Sequence, residues 1–378
     1  MKCLLTDSKK FKKIYTIKKF PIFMGTVKKN YKCKFQDLNY WINKDSGTVQ
    51  VYPRVSIYDL YFKSHSPGTI GKVWQNHHKL FINLIFKYLK GTVLEIGGGH
   101  NSICLNNKLK TDIKIITFDP NATLKKNNKN TKIIKKFFSR NELIKNKLKP
   151  KSLNVIIHSH LIEHIYEPKK FLSLINQYLS DDGYHIFSLP NMEAMIKRGY
   201  FNSVMFEHPF YLNEKLVDII LDTSGFKILR KKYYKKDHSI FYVTKKKKKK
   251  FYSLTKQYTS LKKIYSKNHK IFKNVFKSWE FDVKNLNKKI GDKNFYLFGA
   301  HIFSQLLIKL GINSKNILGI LDNDPKKNDL YLYGTSYKVF LPSILKKINK
   351  PVIVLRAGQY SKEIKKQIYK INRSSVIM

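Results

Sequence analysis

The stretch Val93-Leu94-Glu95-Ile96-Gly97-Gly98-Gly99-His100-Asn101 decides the fold of this chain. Apolar residues with strand character run into three consecutive glycines, which is how an open α/β sheet presents a binding loop at the carboxyl end of a strand. Glycine is needed in such a loop because a Cβ atom blocks the approach of a ligand to the turning backbone. A tight structural turn is the alternative explanation of a bare glycine triplet.

An acidic residue follows the next predicted strand. Residues 113–118 predict a buried strand that ends in Asp119-Pro120, and a carboxylate at this position binds ribose hydroxyls in nucleotide-binding sheets. A dinucleotide-binding loop has the pattern Gly-x-Gly-x-x-Gly, but its sixth position here is Ser102. Glu95, inside the strand, also fits poorly beside a pyrophosphate. Both features disfavour a dinucleotide cofactor.

The acid-x-Gly-x-Gly pattern that begins at Glu95 resembles motif I of the class I S-adenosylmethionine-dependent methyltransferases. By that resemblance, Glu95, Gly97, Gly98 and Gly99 belong to the cofactor site, and the three glycines pack against the methionine part of S-adenosyl-L-methionine. Asp119 takes the ribose. Asn101 stands where the family has its third motif glycine.

A second motif follows the predicted strand 153–158. His160, Glu163 and His164 spell the His-x-x-Glu-His pattern of zinc peptidases, but that function needs a helix in a peptidase fold and a further ligand downstream. The segment also resembles the stretch after motif III of class I methyltransferases, where Glu-His opens a helix. By that resemblance, Ser159 and His160 line the cofactor cleft, while Glu163 and His164 cap and orient the helix.

The composition allows several domains. The chain has 378 residues, of which 42% are hydrophobic and 14% aromatic, so two or three domains are expected. Its formal charge of +49 would ordinarily suggest nucleic acid or an anionic membrane. The excess of positive charge is nearly all lysine and is spread over every segment. An AT-rich genome would encode lysine in this way at surface positions that tolerate substitution. We therefore expect no nucleic-acid partner; the alternative is a functional positive field, for which a phosphorylated substrate suffices.

We predict a soluble, cytoplasmic protein without a membrane partner. The first residues lack the long apolar segment of a signal peptide, and no apolar run is long enough to span a membrane. Three cysteines, Cys3, Cys33 and Cys104, are too few and too scattered for a disulfide framework.

Alternating apolar runs and amphipathic stretches predict an α/β protein whose centre is a doubly wound, Rossmann-like domain, and the resemblance of the glycine loop implies that this is a methyltransferase domain. Its strands are expected near residues 93–96, 113–118, 132–134, 153–158, 184–189 and 239–243. The predicted organisation is an amino-terminal segment (1–78), the cofactor-binding domain (79–244), a lysine-rich helical linker (245–290) and a smaller Rossmann-like docking domain (291–378). The run of lysines at 245–250 is expected to be a solvated linker.

The amino-terminal segment shows few periodic elements. Cys3 and Cys33 each begin what looks like a Cys-x-x-Cys knuckle whose second cysteine is replaced, and two thiolates do not complete a tetrahedral zinc site. We expect a metal-free relic; zinc completed by a distant histidine is the alternative. Tyr61 and His65 lie in a polar and aromatic cluster just before a predicted helix at 70–88, where they serve substrate binding or interdomain packing.

The connection 190–211 contains the pair Glu207-His208 and leaves the same edge of the sheet as the glycine loop. A carboxylate and an imidazole beside a cofactor cleft are candidate acid and base groups, because the pKa of histidine is closest to neutrality. The alternative is a hydrogen-bonded loop histidine that fixes the chain before the helix predicted at 213–224.

The whole order resembles the three-domain C-methyltransferases of nucleotide-linked deoxysugars. The likeness depends on Glu207-His208, on Phe298-Gly299-Ala300-His301 and on Asp322-Asn323. It implies that His208 removes a proton α to a sugar ketone, that Glu207 orients His208, and that the enediolate carbon attacks the sulfonium methyl group. The chain departs from the family at Met205, where a tyrosine is expected. Methylation at oxygen or nitrogen, an RNA methyltransferase and a catalytically silent scaffold remain alternatives.

Overall fold

The computed structural model describes residues 1–62, 71–98, 112–122, 130–247 and 254–378. In this part of the chain no helix is both long and apolar enough to cross a membrane.

The amino-terminal segment forms β structure, contrary to the expectation of few periodic elements. Its elements are β1 (Phe11–Pro21), β2 (Thr26–Val27), β3 (Phe35–Asn43), β4 (Val49–Val51) and α1 (Ile57–Leu60). β1, β3 and β4 make an antiparallel sheet in that order. The pairing of β1 with β3 shifts register between Lys13 and Tyr15 and again between Ile17 and Phe20. These bulges break the alternation of apolar and polar residues that reveals a strand in sequence.

The central unit is the predicted α/β domain. Its elements are α2 (Lys72–Ile85), β5 (Thr92–Ile96), β6 (Lys114–Phe118), β7 (Thr131–Ile134), α3 (Arg140–Lys145), β8 (Leu153–Ser159), α4 (Pro168–Tyr178), β9 (Leu179–Pro190), α5 (Met192–Lys197), α6 (Glu214–Thr223), β10 (Phe226–Tyr234) and β11 (Ser239–Lys246). The seven strands lie in the order β10-β11-β9-β8-β5-β6-β7. β7, β6, β5, β8 and β9 are parallel, and β11 runs antiparallel to β9.

All six predicted strands of this domain are present, and β10 was missed. Only the two ends of β10, Phe226 and Tyr234, are buried, because it lies at the edge of the sheet. The predicted helix at 213–224 is also confirmed: the Asn213 side chain accepts a hydrogen bond from the Leu216 amide at 2.9 Å and caps α6. The predicted domain boundary at residue 78 falls inside α2.

The position of the glycine loop follows from the sheet. β5 lies between β6 and β8, and Ile96 at its end pairs with Phe118 on one side and His158 on the other. The chain therefore leaves three neighbouring strands at one edge, at the point where the strand order reverses. That is where open α/β sheets bind their ligands.

A helix of 37 residues, α7 (Leu254–Ile290), connects the central and the carboxy-terminal units. The sequence around it was predicted to be a lysine-rich helical linker, and the helix is confirmed. One side of the helix is buried, however, with Phe272, Phe276 and Trp279 among its buried side chains, whereas Phe281 is 65% exposed. Lys245 and Lys246, expected in a solvated run, belong to β11, while 248–250 lie outside the described residues.

The carboxy-terminal unit is the expected second α/β fold. It comprises β12 (Phe295–Phe298), α8 (Ile302–Lys309), β13 (Ile317–Leu321), β14 (Tyr331–Leu332), β15 (Val339–Phe340), β16 (Val352–Leu355), α9 (Ser361–Ile371) and β17 (Val376–Ile377). Five strands form a parallel sheet in the order β15-β13-β12-β16-β17.

The amino-terminal and carboxy-terminal units are joined directly. β14 lies outside the five-stranded sheet and pairs antiparallel with β2. Beside this pairing, the buried Gln305 side chain donates one hydrogen bond to the Phe23 carbonyl and one to the Tyr333 carbonyl, each at 2.9 Å. One amide side chain on α8 therefore links both units.

Replacing Gln305 with Ala removes both hydrogen bonds and leaves a small cavity, so we expect a loss of about 2–4 kcal/mol and a melting temperature lower by about 5 °C. Thermal unfolding followed by circular dichroism measures the change. The matched control is Gln36→Ala, because Gln36 makes its hydrogen bond to the Pro53 carbonyl in an exposed position. Equal melting temperatures for the two variants would show that the Gln305 link contributes nothing.

Candidate active site

The glycine loop has the backbone that a cofactor loop requires. Gly97 follows β5 with φ at +74°, a conformation that L side chains rarely adopt, and its amide donates to the Phe118 carbonyl at 2.8 Å. A Cβ atom on Gly98 would lie 2.7 Å from the Glu95 carboxyl group and 3.0 Å from Thr117. Glycine is therefore necessary at both positions. Gly99 lies outside the described residues.

Two carboxylates stand at this edge of the sheet. Glu95 is buried and accepts a hydrogen bond from the Thr117 hydroxyl at 3.3 Å. Asp119 directly follows β6, and because Ile96 pairs with Phe118, it comes out beside Gly97. Its Oδ1 accepts a hydrogen bond from the Asn121 amide at 2.7 Å. A glycine turn without side chains beside a carboxylate suits the methionine and ribose parts of S-adenosylmethionine, and the assignment of these residues to the cofactor stays a prediction.

Ser159 and His160 come at the end of β8, the neighbour of β5. The Ser159 hydroxyl lies 2.7 Å from the Ser188 hydroxyl of β9. His160 has a left-handed backbone with φ at +47°, and its Nε2 lies 2.8 Å from the Ser239 hydroxyl at the start of β11. The structure therefore turns His160 toward β11, whereas the glycine loop lies on the β5 side of β8.

Glu163 and His164 do not cap helix α4, which is a correction of the prediction. They lie in a short 3-10 turn, Ile162–His164, and α4 begins separately with Pro168 after the N-cap residue Glu167. Glu163 is fully buried, and its Oε1 lies 3.3 Å from Nδ1 of His160. Burial raises the pKa of this carboxyl group to about 7, although the nearby His208 opposes the shift.

His208 is held with one ring nitrogen fixed. Its Nδ1 donates a hydrogen bond to the Ser203 carbonyl at 3.2 Å, so the lone pair of the neutral ring is on Nε2. The ring packs edge to face against His164 with centroids 4.5 Å apart. Burial lowers the pKa of His208, while the Glu163 carboxylate raises it. Neutral His208 with a basic Nε2 is the resulting form.

Glu207 was expected to orient His208. A carboxylate in that function would accept a hydrogen bond from Nδ1 of His208. In the structure the Ser203 carbonyl accepts this hydrogen bond instead. Glu207 is buried in the same cluster and lines the cleft with His208. Met205, at the position of the expected tyrosine, also lines the cleft, and its amide donates to the His208 carbonyl at 3.2 Å.

A tyrosine nevertheless reaches the cluster from another part of the chain. The hydroxyl of Tyr61, directly after α1, lies 2.8 Å from Nδ1 of His164. Burial is the largest cause of the rise in the pKa of Tyr61, and the charge of Glu207 adds to it, so the phenol is protonated at neutral pH. His65, the other predicted substrate residue, lies outside the described residues.

The cleft in front of these groups has a volume of about 810 Å³ and is lined in part by the carboxy-terminal unit. That unit was predicted to be a docking domain with little room for a ligand. In fact its Gly299, His301 and Asn323 line the same cleft as Glu207 and His208. These residues follow strands β12 and β13, and they therefore face the candidate active site.

The cleft does not share the positive charge of the whole chain. Among the described residues that line it are two lysines and five carboxylate residues; the lysines are Lys72 and Lys327, and the carboxylates are Glu163, Glu207, Asp322, Asp324 and Glu363. Lys327 already binds Asp322, at 3.1 Å. The lysine excess is therefore spread over other surfaces.

The two cysteines of the knuckle-like segments, expected to be a metal-free relic, have different partners. Buried Cys3 lies 3.1 Å from the Ser46 hydroxyl, whereas Cys33 accepts a hydrogen bond from the Gly334 amide at 3.2 Å. Among the residues that the structure describes, neither cysteine belongs to a group of three side chains that could hold a metal ion.

Comparison with known proteins identifies the central unit. Residues 75–231 match the protein family described as a methyltransferase domain, and this span contains the glycine loop, Asp119 and His208. The protein is an S-adenosylmethionine-dependent methyltransferase, as the glycine loop predicted. No curated protein matches the sequence.

Solved structures of similar proteins cover only part of the chain. An S-adenosylmethionine-dependent methyltransferase of Mesorhizobium loti is 11% identical, with 47% of this chain and 99% of that chain covered and a TM-score of 0.35. One from Aquifex aeolicus is 15% identical, with 43% and 87% covered and a TM-score of 0.33. At these values neither likeness carries an argument about the substrate.

Replacing Gly97 with Ala tests the cofactor loop. The protein leaves room for the new Cβ, whose nearest neighbour is Leu161 at 3.6 Å, so reduced affinity for S-adenosylhomocysteine would come from contact with the ligand. We expect about tenfold weaker binding by calorimetry, equivalent to about 1.4 kcal/mol.

The control is Gly291→Ala, which has a similar φ of +57° and no atom within 4 Å of its Cβ. Both variants should lose about 1–2 kcal/mol of stability from the left-handed backbone, and only the first should lose affinity. Unchanged affinity in Gly97→Ala would refute the assigned loop.

Proposed function

We propose that this enzyme methylates a carbon atom next to the ketone of a nucleotide-linked sugar, with His208 as the base. The observation that carries the proposal is the hydrogen bond from Nδ1 of His208 to the Ser203 carbonyl, which leaves a basic Nε2 in the cleft wall. S-adenosylmethionine supplies a strongly electrophilic methyl group when bound. The tasks left to this chain are to remove a proton, to stabilise the developing oxyanion and to align the reacting atoms.

Proton removal falls to His208 because its lowered pKa keeps the ring neutral at neutral pH. Nε2 takes the proton from the carbon α to the ketone, and the electron pair moves into an enediolate. The charge of Glu163, which raises the pKa of His208, stabilises the imidazolium that forms. Bound S-adenosylmethionine would supply the methyl group to this carbon, with cleavage of its sulfur–methyl bond and release of S-adenosylhomocysteine.

Tyr61 takes the place of the phenol that the family has at the position of Met205. Its protonated hydroxyl stands beside His164, which packs on His208, and can donate a hydrogen bond to the enediolate oxygen. An amino-terminal residue thus contributes to the acid-base group, together with residues of the central domain. This gives the amino-terminal segment a part in the reaction.

The acid-rich lining of the cleft favours a second candidate. Hydroxyl and ammonium groups pair well with carboxylates, so methylation at a sugar oxygen or amine also suits this wall, with His208 removing the proton from the acceptor. The same carboxylates repel a phosphate backbone and disfavour RNA. For a nucleotide sugar, Lys72 and Lys327 are the described cations of the cleft that a diphosphate can reach.

Replacing His208 with Ala should lower kcat by about 10³-fold, within the range of general-base catalysis, and leave the affinity for S-adenosylhomocysteine unchanged. The assay uses keto sugars linked to thymidine or guanosine diphosphate, and nuclear magnetic resonance in D2O follows exchange of the α proton. Exchange catalysed by the parent enzyme and lost in the variant supports C-methylation.

The control is His269→Ala on α7, away from the cleft lining. Methyl transfer without α-proton exchange would move the proposal to an oxygen or nitrogen acceptor. Full turnover in His208→Ala would remove His208 as the base. No turnover by the parent protein with any sugar would favour a silent cofactor-binding subunit.

Replacing Tyr61 with Phe tests whether the Tyr61 hydroxyl takes the place of the phenol expected at Met205. We expect kcat to fall by about 10²-fold, as for loss of one oxyanion donor, with little change in cofactor affinity. The control is Tyr58→Phe, because Tyr58 lies on α1 with 77% of its surface exposed. Equal kcat values for the two variants would leave Tyr61 with a packing function only.

A further inference from the structure

Three histidines converge beside the cleft, outside the proposed acid-base group. His77 lies on α2, His160 follows β8, and His238 directly precedes β11. One ring nitrogen of each lies within 4.8 Å of one ring nitrogen of the other two. The ring centroids are 5.1, 5.4 and 5.9 Å apart. Three separate elements thus bring imidazoles to one point.

In the described structure, three of the six ring nitrogens of this cluster have no partner, whereas both nitrogens of His160 have one, Ser239 at Nε2 and Glu163 at Nδ1. His77 is 0% exposed and His238 1% exposed. Within the described structure, both ring nitrogens of His77 lack a hydrogen-bond partner, and so does Nε2 of His238. Buried polar groups of native proteins nearly always have partners, and an unsatisfied one costs stability. A ligand at this point would satisfy nitrogens that the protein leaves unpaired.

A hydroxyl group orients two of the rings from behind. The Ser239 Oγ lies 2.8 Å from Nε2 of His160 and 2.5 Å from Nδ1 of His238. Metal-binding histidines commonly use one ring nitrogen for the ion and the other for such a fixed partner.

We propose that His77, His160 and His238 bind a divalent transition-metal ion, for which Zn²⁺ is best suited. Three nitrogen ligands leave one position of a tetrahedron open. His160 and His238 also line the cleft, so the ion would lie beside the space proposed for the acceptor. The site is separate from the two cysteines that suggested zinc in the sequence, and it does not depend on the identity of the sugar.

A dry aromatic cluster is the competing explanation. The Trp74 ring packs edge to face on His160 and on His238, with centroids 4.8 Å away in both cases. Such packing alone gives the rings a structural function. It does not, however, provide partners for the two nitrogens of His77.

The experiment titrates metal-free protein with Co²⁺ and follows the visible d–d absorption, and calorimetry with ZnCl₂ gives the affinity and stoichiometry. We expect one equivalent to bind with tetrahedral bands and without thiolate charge transfer. His77→Ala and His238→Ala should each weaken binding by more than about 100-fold. His78→Ala, the neighbour on α2 that is not part of the group, should bind as the parent does.

Circular dichroism establishes that each variant is folded, and His77→Gln replaces His77→Ala if the smaller side chain destabilises α2. Absence of Co²⁺ bands and of heat in the parent protein would overturn the proposal in favour of the aromatic cluster. Binding that survives both His77→Ala and His238→Ala would also overturn it, and would place the ion at the other candidate group, Glu163, His164 and His208. Thiolate charge transfer would place it at the cysteines.

Discussion

The burial of one side of α7 is the interaction on which the arrangement of the whole chain depends. Phe276 of α7 stacks on Tyr15 of the amino-terminal sheet with ring centroids 4.2 Å apart. Trp279 donates from Nε1 to the Gly199 carbonyl of the central unit at 2.8 Å. Asp282 forms a bidentate pair with Arg356 of the carboxy-terminal unit, with nitrogen–oxygen distances of 2.6 and 2.9 Å. Successive turns of one helix therefore set the positions of three units.

That arrangement determines what the cleft contains. Glu207 and His208 come from the central unit, as does His164, which Tyr61 of the amino-terminal segment contacts. The wall with His301 and Asn323 comes from the third unit. A methyltransferase domain alone would leave this cleft open to solvent on one side. The cleft is thus a property of the assembled chain, whereas the glycine loop belongs to the central sheet alone.

The sequence predicted features that follow from local rules. Asp119 beside Gly97 was predictable because neighbouring parallel strands end at one edge, and the α6 helix because Asn213 caps it. The contact of Tyr61 with His164 depends on how distant segments pack, which strand and helix periodicity does not encode. The same holds for the three-histidine cluster, whose members lie on different elements. The first strand was missed for another reason, because the bulges of β1 interrupt its alternation of apolar and polar residues.

The pairing of β2 with β14 has a consequence for synthesis of the protein. Val27 of β2 pairs with Tyr331 of β14. The ribosome therefore synthesises β2 about 300 residues before the strand with which it pairs. At about 5–20 residues per second, the ribosome needs roughly 15–60 s to supply that partner. During this interval β2 presents an unpaired edge, which is the feature that chaperones cover and that promotes aggregation. The yield of folded protein therefore depends on translation speed as well as on thermodynamic stability.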